Sequence, residues 1–267
     1  MHATANDFRA ESQALKTLLD PLTDAQFDQP TLFKGWTIND ILRHLHFWNR
    51  AAYLQVSDEA ELERLLGRVF SLTDPGGMRT IERELFGGLS GRALLDEWFE
   101  FAEQLAASFA EIDPKLRLKW AGPSMSARSS LTARQMETWA HGQAAFDALG
   151  VTRMNTDRIR NIVQLGANTF AWTFRVKGLP LPKAMPHLSL TAPSGEVWSF
   201  GEPDPDNAIT GSAEAFCQVV TQVRNFADVD LNTVGDTAAV WMEKAQCFAG
   251  PPEAPPAPGY RKQAVRA

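Results

Sequence analysis

Residues 35–45 read Gly-Trp-Thr-Ile-Asn-Asp-Ile-Leu-Arg-His-Leu, and they predict the start of a long helix. Thr37 is placed to cap this helix, because Asp40 follows three residues later and the two can form a reciprocal capping box. Beyond the cap, apolar side chains recur at helical spacing. We therefore predict a helix over residues 37–54 with one buried face.

Two histidines lie on this predicted helix. His44 falls within the stripe of side chains at helical spacing that is expected to be buried: Ile41, Leu45, Trp48 and Ala52. His46 follows two residues later, roughly 200° further around the helix, so it does not share that face. Of the two imidazoles, His44 is the one expected to face the interior.

A second informative stretch, residues 132–142, reads Thr-Ala-Arg-Gln-Met-Glu-Thr-Trp-Ala-His-Gly. Thr132 and Gln135 have capping-box spacing, so we predict that a helix begins here. It is expected to run to Leu149, because Gly150 suits the left-handed position just past a helix end.

Glu137 and His141 lie four residues apart on this helix, which places both side chains on one face. Together with His44 they would form a three-ligand metal site of the kind that leaves a coordination position open. Zinc is the first expectation, and nickel or ferrous iron suits the same donors. A solvated Glu–His pair and a hydrogen-bonded core histidine are the alternatives, and residue types alone leave both open.

The rest of the chain predicts an α+β fold that is mostly α. Further helices are expected over 5–19, 90–111 and 155–175. The fold expected for residues 1–178 is an N-terminal four-helix bundle. A small C-terminal α/β domain is expected over residues 179–249. Its predicted elements are a hairpin of strands at 187–191 and 196–200 and helices at about 211–226 and 235–248. Residues 250–267 are rich in Pro and Ala and then basic, and this tail is expected to be disordered.

Composition limits the classes of function. The 267 residues carry a formal net charge of −6, which does not favour nucleic-acid binding. Two cysteines without close spacing indicate neither a disulfide framework nor a redox pair. No apolar run approaches membrane-spanning length, and the first residues lack an apolar signal core. We expect a cytoplasmic protein that acts on a small molecule.

The two stretches resemble a known family. Residues 35–45 are similar to the GWT-x-x-D-x-x-x-H-L segment of the DinB-like superfamily, and residues 132–142 resemble the R-x-x-E-x-x-x-H helix of one branch. That branch is the N-terminal domain of mycothiol-dependent maleylpyruvate isomerases, and the resemblance covers about residues 5–175. Shorter stretches around Gly211, Arg224 and Gly235 resemble the second domain of a two-domain, metal-binding subgroup.

The resemblance implies a metal site formed by His44, Glu137 and His141 on a four-helix bundle. It implies an enzyme that uses the metal and a low-molecular-weight thiol, as an isomerase or S-transferase, and it allows a homodimer. A metal-dependent hydrolase and a non-catalytic protein that binds metal or a small molecule are the alternatives.

Two arginines are candidate catalytic residues. Arg134 lies one turn before Glu137 on the same side of its helix, and its forked donors suit an anionic substrate group. Arg224 is the candidate from the C-terminal domain, by resemblance to an arginine there that contributes to activity in the isomerase. The alternative for Arg224 is a surface arginine at a helix end.

Overall fold

The computed structural model describes residues 1–73 and 76–261, and the chain divides into two compact units, Met1–Ala148 and Leu149–Ala267. The sequence predicts this division later, at residue 178. No helix within the described part of the chain is both long and apolar enough to cross a membrane.

The first unit contains four long helices: α1 (His2–Leu19), α2 (Ile38–Ser57), α5 (Gly91–Ala110) and α6 (Ala127–Leu149). All four contribute to one buried cluster, which includes Phe8, Ala52, Leu105 and Leu131. Fully buried apolar side chains of this kind contribute about 1.5–3 kcal/mol each to folding. The predicted four-helix bundle is present.

Helix α2 begins where the sequence predicts. The Thr37 hydroxyl accepts a hydrogen bond from the Asp40 backbone N–H at 3.1 Å, and the Asp40 carboxylate accepts one from the Thr37 N–H at 3.1 Å. This reciprocal pair satisfies two backbone donors that a helix start leaves without partners. His44 is fixed two turns into a helix whose start is well defined.

Helix α6 begins earlier than predicted, and the capping box expected at Thr132 is wrong. The chain enters α6 directly from a short hairpin of β1 (Arg117–Leu118) and β2 (Met125–Ser126). The Ser126 hydroxyl accepts a hydrogen bond from the Ser129 N–H at 3.1 Å and provides the cap instead. Thr132 therefore lies inside the helix.

Two shorter helices, α3 (Glu59–Phe70) and α4 (Gly77–Phe86), lie between α2 and α5 in the chain. They pack against α2 through an apolar cluster: Phe47, Ala51, Leu62, Leu65, Leu66, Ile81 and Phe86. This packing lays α4 along the part of α2 that carries His44.

The second unit begins with α7 (Arg160–Asn168) and α8 (Phe170–Val176), which replace the single helix expected over 155–175. Both helices pack within this unit rather than in the bundle. The Phe170 ring lies 4.9 Å from the Trp241 ring, and the Trp172 indole donates a hydrogen bond to the Phe248 carbonyl. These contacts explain why the division falls before α7 and not at residue 178.

A four-stranded sheet forms the rest of the second unit. Its strands are β3 (His187–Thr191), β4 (Val197–Phe200), β5 (Ala208–Ser212) and β6 (Leu231–Val234), in the order β4–β3–β5–β6. The predicted hairpin of β3 and β4 is present, with Gly195 at a φ of 90° in its turn. Strand β5 pairs parallel to β3, and β6 pairs antiparallel to β5. Neither β5 nor β6 was predicted.

Two helices accompany the sheet, α9 (Ala213–Val220) and α10 (Asp236–Lys244), and both are shorter than expected. Ser212 caps α9 by accepting a hydrogen bond from the Ala215 N–H at 3.0 Å. The end of α9 is followed by Gln222 at a φ of 57°, a left-handed conformation that does not continue a helix. The predicted α+β, mostly α class is the observed one.

Residues 250–261 of the tail expected to be disordered contact the second unit. This segment has no regular secondary structure, but its backbone is tied to the second unit. The Pro256 carbonyl accepts a hydrogen bond from Asn225 at 2.8 Å, and the Gly259 N–H donates one to Asp228 at 2.8 Å. Partners supplied by tertiary structure replace the regular hydrogen bonds that a Pro-rich segment lacks. Residues 262–267 of the predicted tail lie outside the described residues.

Candidate metal centre

The structure brings together the three side chains that were predicted as metal ligands. The Glu137 carboxylate lies 3.0 Å from Nε2 of His141 and 3.8 Å from Nε2 of His44. One ligand atom from each of the three residues lies within 4.8 Å of the others. Helix α2 supplies one ligand, and α6 supplies the pair that a four-residue spacing places on one face.

These distances suit a single ion. Nitrogen and oxygen ligands at about 2.1 Å from a tetrahedral zinc lie about 3.4 Å from each other. The two separations from Glu137 fall on either side of that value, and all three ligand atoms lie within 4.8 Å of one another. The donor set of two imidazoles and one carboxylate therefore suits a divalent metal that the side chains could close around.

Glu82 of α4 is part of this site, and sequence reasoning missed it. Its carboxylate lies 2.8 Å from Nδ1 of His44, and its side chain is 3% exposed. Because Glu82 engages Nδ1 of His44, Nε2 on the side of Glu137 is the nitrogen that an ion would take in place of a proton. The sequence pattern that could have identified Glu82 is its position on the apolar face of α4, next to Ile81 and four residues before Phe86.

Aromatic rings cover the imidazoles. Trp36 stacks on His141 with an interplanar angle of 4° and a centroid separation of 5.8 Å, and it meets the His44 ring edge-on at 5.1 Å. Phe33 contacts His141 at 4.8 Å, and Trp48 lies 6.3 Å from His44. Glu137 is the most exposed of the three predicted ligands, with 21% of its side chain accessible. Solvent therefore reaches all three predicted ligands, and Glu137 most of all.

The charges around the site favour a cation. Burial alone would lower the pKa of His44, but hydrogen bonds and negative charge from Glu137 and Glu82 outweigh burial and raise this pKa to about 9. Burial would raise the pKa of Glu137, yet His141, His44 and Arg134 hold it well below its usual range. The pKa of His141 is lowered, chiefly by burial and also by the neighbouring His44 and Arg134. The pocket thus holds an ionised carboxylate and stabilises positive charge beside it.

Arg134 lies in the interior of the bundle. It is 3% exposed, and its Nε donates a hydrogen bond to the Asn49 side chain at 3.3 Å. Burial lowers its pKa to about 10, while the charge of Glu137 acts in the opposite direction. The structure therefore places Arg134 in the interior, next to Glu137 in charge, and its role toward a substrate stays a prediction.

Arg224 belongs to the second unit and is 6% exposed, so the alternative of a surface arginine is wrong. Its Nη1 donates a hydrogen bond to the Val223 carbonyl at 3.3 Å. A catalytic role for Arg224 stays a prediction.

Comparisons with known proteins agree on the family. The sequence model of one protein family, the mycothiol maleylpyruvate isomerase N-terminal domain, matches residues 8–146. Two curated proteins of Mycobacterium tuberculosis, from strains CDC 1551 / Oshkosh and ATCC 25618 / H37Rv, are each 40% identical over 247 residues. These alignments cover 92% of this chain and 95% of each relative, and both relatives carry the name of an uncharacterized protein.

Two solved structures are similar in fold: a mycothiol-dependent maleylpyruvate isomerase and a single-residue mutant of that protein. The TM-scores are 0.53 and 0.54, with 16% sequence identity, 81% of this chain covered and 87% of the other. Because the family model matches more than half of its length, the chain belongs to the mycothiol maleylpyruvate isomerase N-terminal domain family.

Proposed function

We propose that His44, Glu137 and His141 bind one divalent metal ion and that the protein is a metal- and thiol-dependent isomerase or S-transferase. Zinc is the expected ion, with nickel or ferrous iron as alternatives. The observation that carries the proposal is the convergence of the three ligand atoms within 4.8 Å. Membership of the family supports the thiol and isomerase parts of the proposal.

The ion would supply Lewis acidity, lowering the pKa of a bound thiol or water and polarising a carbonyl group. With neutral imidazoles, the three ligands carry a single negative charge on Glu137. They would therefore neutralise only half the charge of a divalent ion, and the remaining positive charge favours an anionic sulfur ligand over a neutral one.

Neighbouring side chains affect how the three predicted ligands would bind an ion. Glu82 holds Nδ1–H of His44, so the other ring nitrogen is kept as a donor to the ion. Trp36 and Phe33 cover the His141 ring and exclude water from that side, which strengthens electrostatic interactions in the site. The partial exposure of Glu137 would let a ligand approach the ion from solvent.

The hydrolase alternative receives less support. A metal-bound water would need a carboxylate base that is not already engaged. Glu82, a carboxylate that contacts the trio from outside, is already paired with His44. A metal-binding protein without catalysis remains an outcome of the test below.

The first test is metal content. We expect about one equivalent of metal in the purified wild-type protein and almost none in the Glu137→Ala/His141→Ala variant, because two of three ligands are lost. His187→Ala is the matched control: its imidazole lies on β3 and contacts Ser199, so its metal content should equal that of the wild type. Elemental analysis measures the metal, and circular dichroism checks the fold of each variant.

The thiol part is tested on protein reconstituted with cobalt. Adding a low-molecular-weight thiol should produce a sulfur-to-cobalt charge-transfer band in the wild type and none in the double variant. Wild-type protein that binds no metal after reconstitution would overturn the proposal. Metal-loaded protein without a thiol band or a thiol-dependent reaction would leave a metal-binding protein only.

A further inference from the structure

Three arginines surround one buried carboxylate beside the candidate metal centre. Asp40 of α2, whose side chain is 8% exposed, forms ion pairs with Arg79 and Arg83 of α4 and with Arg43 of its own helix. Arg79 makes the close contact, whereas Arg83 lies 3.5 Å and Arg43 3.9 Å from the carboxylate. We call Asp40, Arg43, Arg79 and Arg83 the arginine cluster.

Positive charge in this cluster exceeds what Asp40 can balance. Its carboxylate already accepts a hydrogen bond from the Thr37 N–H in addition to the contact with Arg79. One arginine is enough to compensate one carboxylate, and additional cations at short range repel each other. Arg83 in particular keeps 59% of its side chain exposed, and its contact with Asp40 is long for a hydrogen bond. Its forked donors are therefore accessible to a ligand.

The arginine cluster adjoins the metal centre. Asp40 lies one helical turn before His44 on the same face of α2, a spacing of about 6 Å between Cβ atoms. On α4, Glu82 lies beside Arg83 in sequence and three residues after Arg79, and it contacts His44. Trp36 contacts both the arginine cluster and the candidate metal centre: its ring lies 5.3 Å from the Arg79 guanidinium and 5.1 Å from the His44 ring.

We infer that Arg79 and Arg83 bind a carboxylate or phosphate group of the ligand that occupies the metal centre. The inference rests on the proposed function and adds a ligand class: an anionic small molecule whose charged group lies about one helical turn from its metal-binding atom. Guanidinium groups bind such anions through two parallel hydrogen bonds. Trp36 contacts both Arg79 and His44, so it would lie against such a ligand. The charged group belongs either to the thiol or to the molecule that reacts with it.

A purely structural role makes a different prediction. If the arginines only join α4 to α2, their loss would lower stability without changing which ligands bind. The test therefore measures charge preference and not overall activity.

The first experiment uses cobalt-loaded protein and pairs of thiols that differ only in charge. 3-Mercaptopropionate is compared with 3-mercaptopropanol, and 6-mercaptohexanoate with 6-mercaptohexanol, by titration of the charge-transfer band. A charge-assisted contact predicts that wild-type protein binds at least one anionic thiol about 10-fold more tightly than its alcohol. Arg83→Gln should reduce this preference while keeping the Arg79–Asp40 pair, and Arg79→Gln/Arg83→Gln should abolish it.

Arg68→Gln is the matched control. This arginine lies on α3, pairs with Glu84 and is 48% exposed, so the substitution removes the same charge from the same unit. It should preserve the wild-type preference. Circular dichroism and thermal unfolding check that α4 still packs in the variants.

The second experiment titrates succinate and inorganic phosphate into metal-free protein and into cobalt protein saturated with 3-mercaptopropanol, followed by nuclear magnetic resonance. Binding of either anion that is lost in Arg79→Gln/Arg83→Gln supports the anion site. If succinate binds the thiol-saturated protein while thiol charge has no effect, the anion belongs to the reacting molecule. If anionic thiols are preferred, it belongs to the thiol.

The metal-free titration separates this inference from the proposed function. Anion binding without any metal binding would overturn the function and support the anion site. A metal-loaded protein that shows no charge preference and binds neither anion would overturn the anion site and leave the function standing. The anion site would also be overturned if Arg79→Gln/Arg83→Gln kept the wild-type charge preference and anion binding.

Discussion

At the scale of single residues, the contact between Glu82 and His44 is the feature with the clearest chemical consequence. An imidazole in water exchanges its proton between two nitrogens, and a metal ligand must keep one nitrogen free. The buried Glu82 carboxylate, 2.8 Å from Nδ1, fixes this choice. Glu82 would then act on the metal through His44, as a positioning residue.

Replacement of this carboxylate tests the role. Glu82→Gln keeps the size and an acceptor for Nδ1–H but removes the charge, and we expect zinc affinity to fall about 10- to 100-fold. Glu82→Ala should cost at least as much. Competition with a chromophoric chelator measures the affinity, and the ¹⁵N shifts of the His44 ring report its tautomer.

Glu84→Gln is the control for this change, because Glu84 lies on the same helix, is 57% exposed and pairs with Arg68. Its zinc affinity and its His44 shifts should match the wild type. Unchanged affinity in Glu82→Gln, with an unchanged tautomer, would show that the contact does not position the ligand.

At the scale of elements, the helices of the second unit depend on close packing around a glycine. Gly166 of α7 faces α9, where an added Cβ would lie 2.9 Å from the Phe216 ring and 3.1 Å from the Val220 side chain. Phe216 is fully buried, so its ring has little freedom to move away. The small residue at this position allows α7 to pack in the second unit.

Gly166→Ala is therefore expected to lower the free energy of unfolding by about 1–3 kcal/mol, because it overfills this contact. Gly67→Ala is the opposite case: Gly67 lies in α3 with no atom within 4 Å of an added Cβ. That change should stabilise by about 0.5–1 kcal/mol through helix propensity. Urea unfolding measures both, and an equal stabilisation by the two substitutions would contradict the packing argument.

At the scale of the whole molecule, the predicted ligands and Glu82 all belong to the first of the two compact units. Any ion bound by them stabilises the folded state of that unit by mass action, since the unfolded chain lacks the site. The first unit, then, is where the effect of metal on stability should be seen.

Removal of the metal with a chelator should increase hydrogen exchange in α2 and α6. The loss of stability is about 2.7 kcal/mol when the free ion is at 100 times its dissociation constant. Hydrogen exchange with mass spectrometry, with and without chelator, reports each helix separately. Exchange that changes in α9 and α10 but not in α2 and α6 would place the ion elsewhere.

The sequence by itself determined the features that depend on local interactions. The start of α2 follows from hydrogen bonds between Thr37 and Asp40, three residues apart, and the shared face of Glu137 and His141 follows from helix geometry. The hairpin of β3 and β4 is equally local, since a short turn joins its strands. In each case the interacting groups are close in the chain, so the pattern of residues is sufficient.

Only the tertiary structure decided the features that join distant parts of the chain. Glu82 meets His44 across 38 positions, and strand β5 needs β3 and β6 beside it before its hydrogen bonds exist. The buried Arg134 side chain donates a hydrogen bond to Asn49, which lies 85 residues away in the chain. The periodicity of residues 155–175 predicts a further helix of the bundle. In the structure α7 packs against α9 and α8 packs against α10, so both helices belong to the second unit. Periodicity shows which face of a helix is apolar, but the partner of that face is chosen by shape and burial across the whole fold.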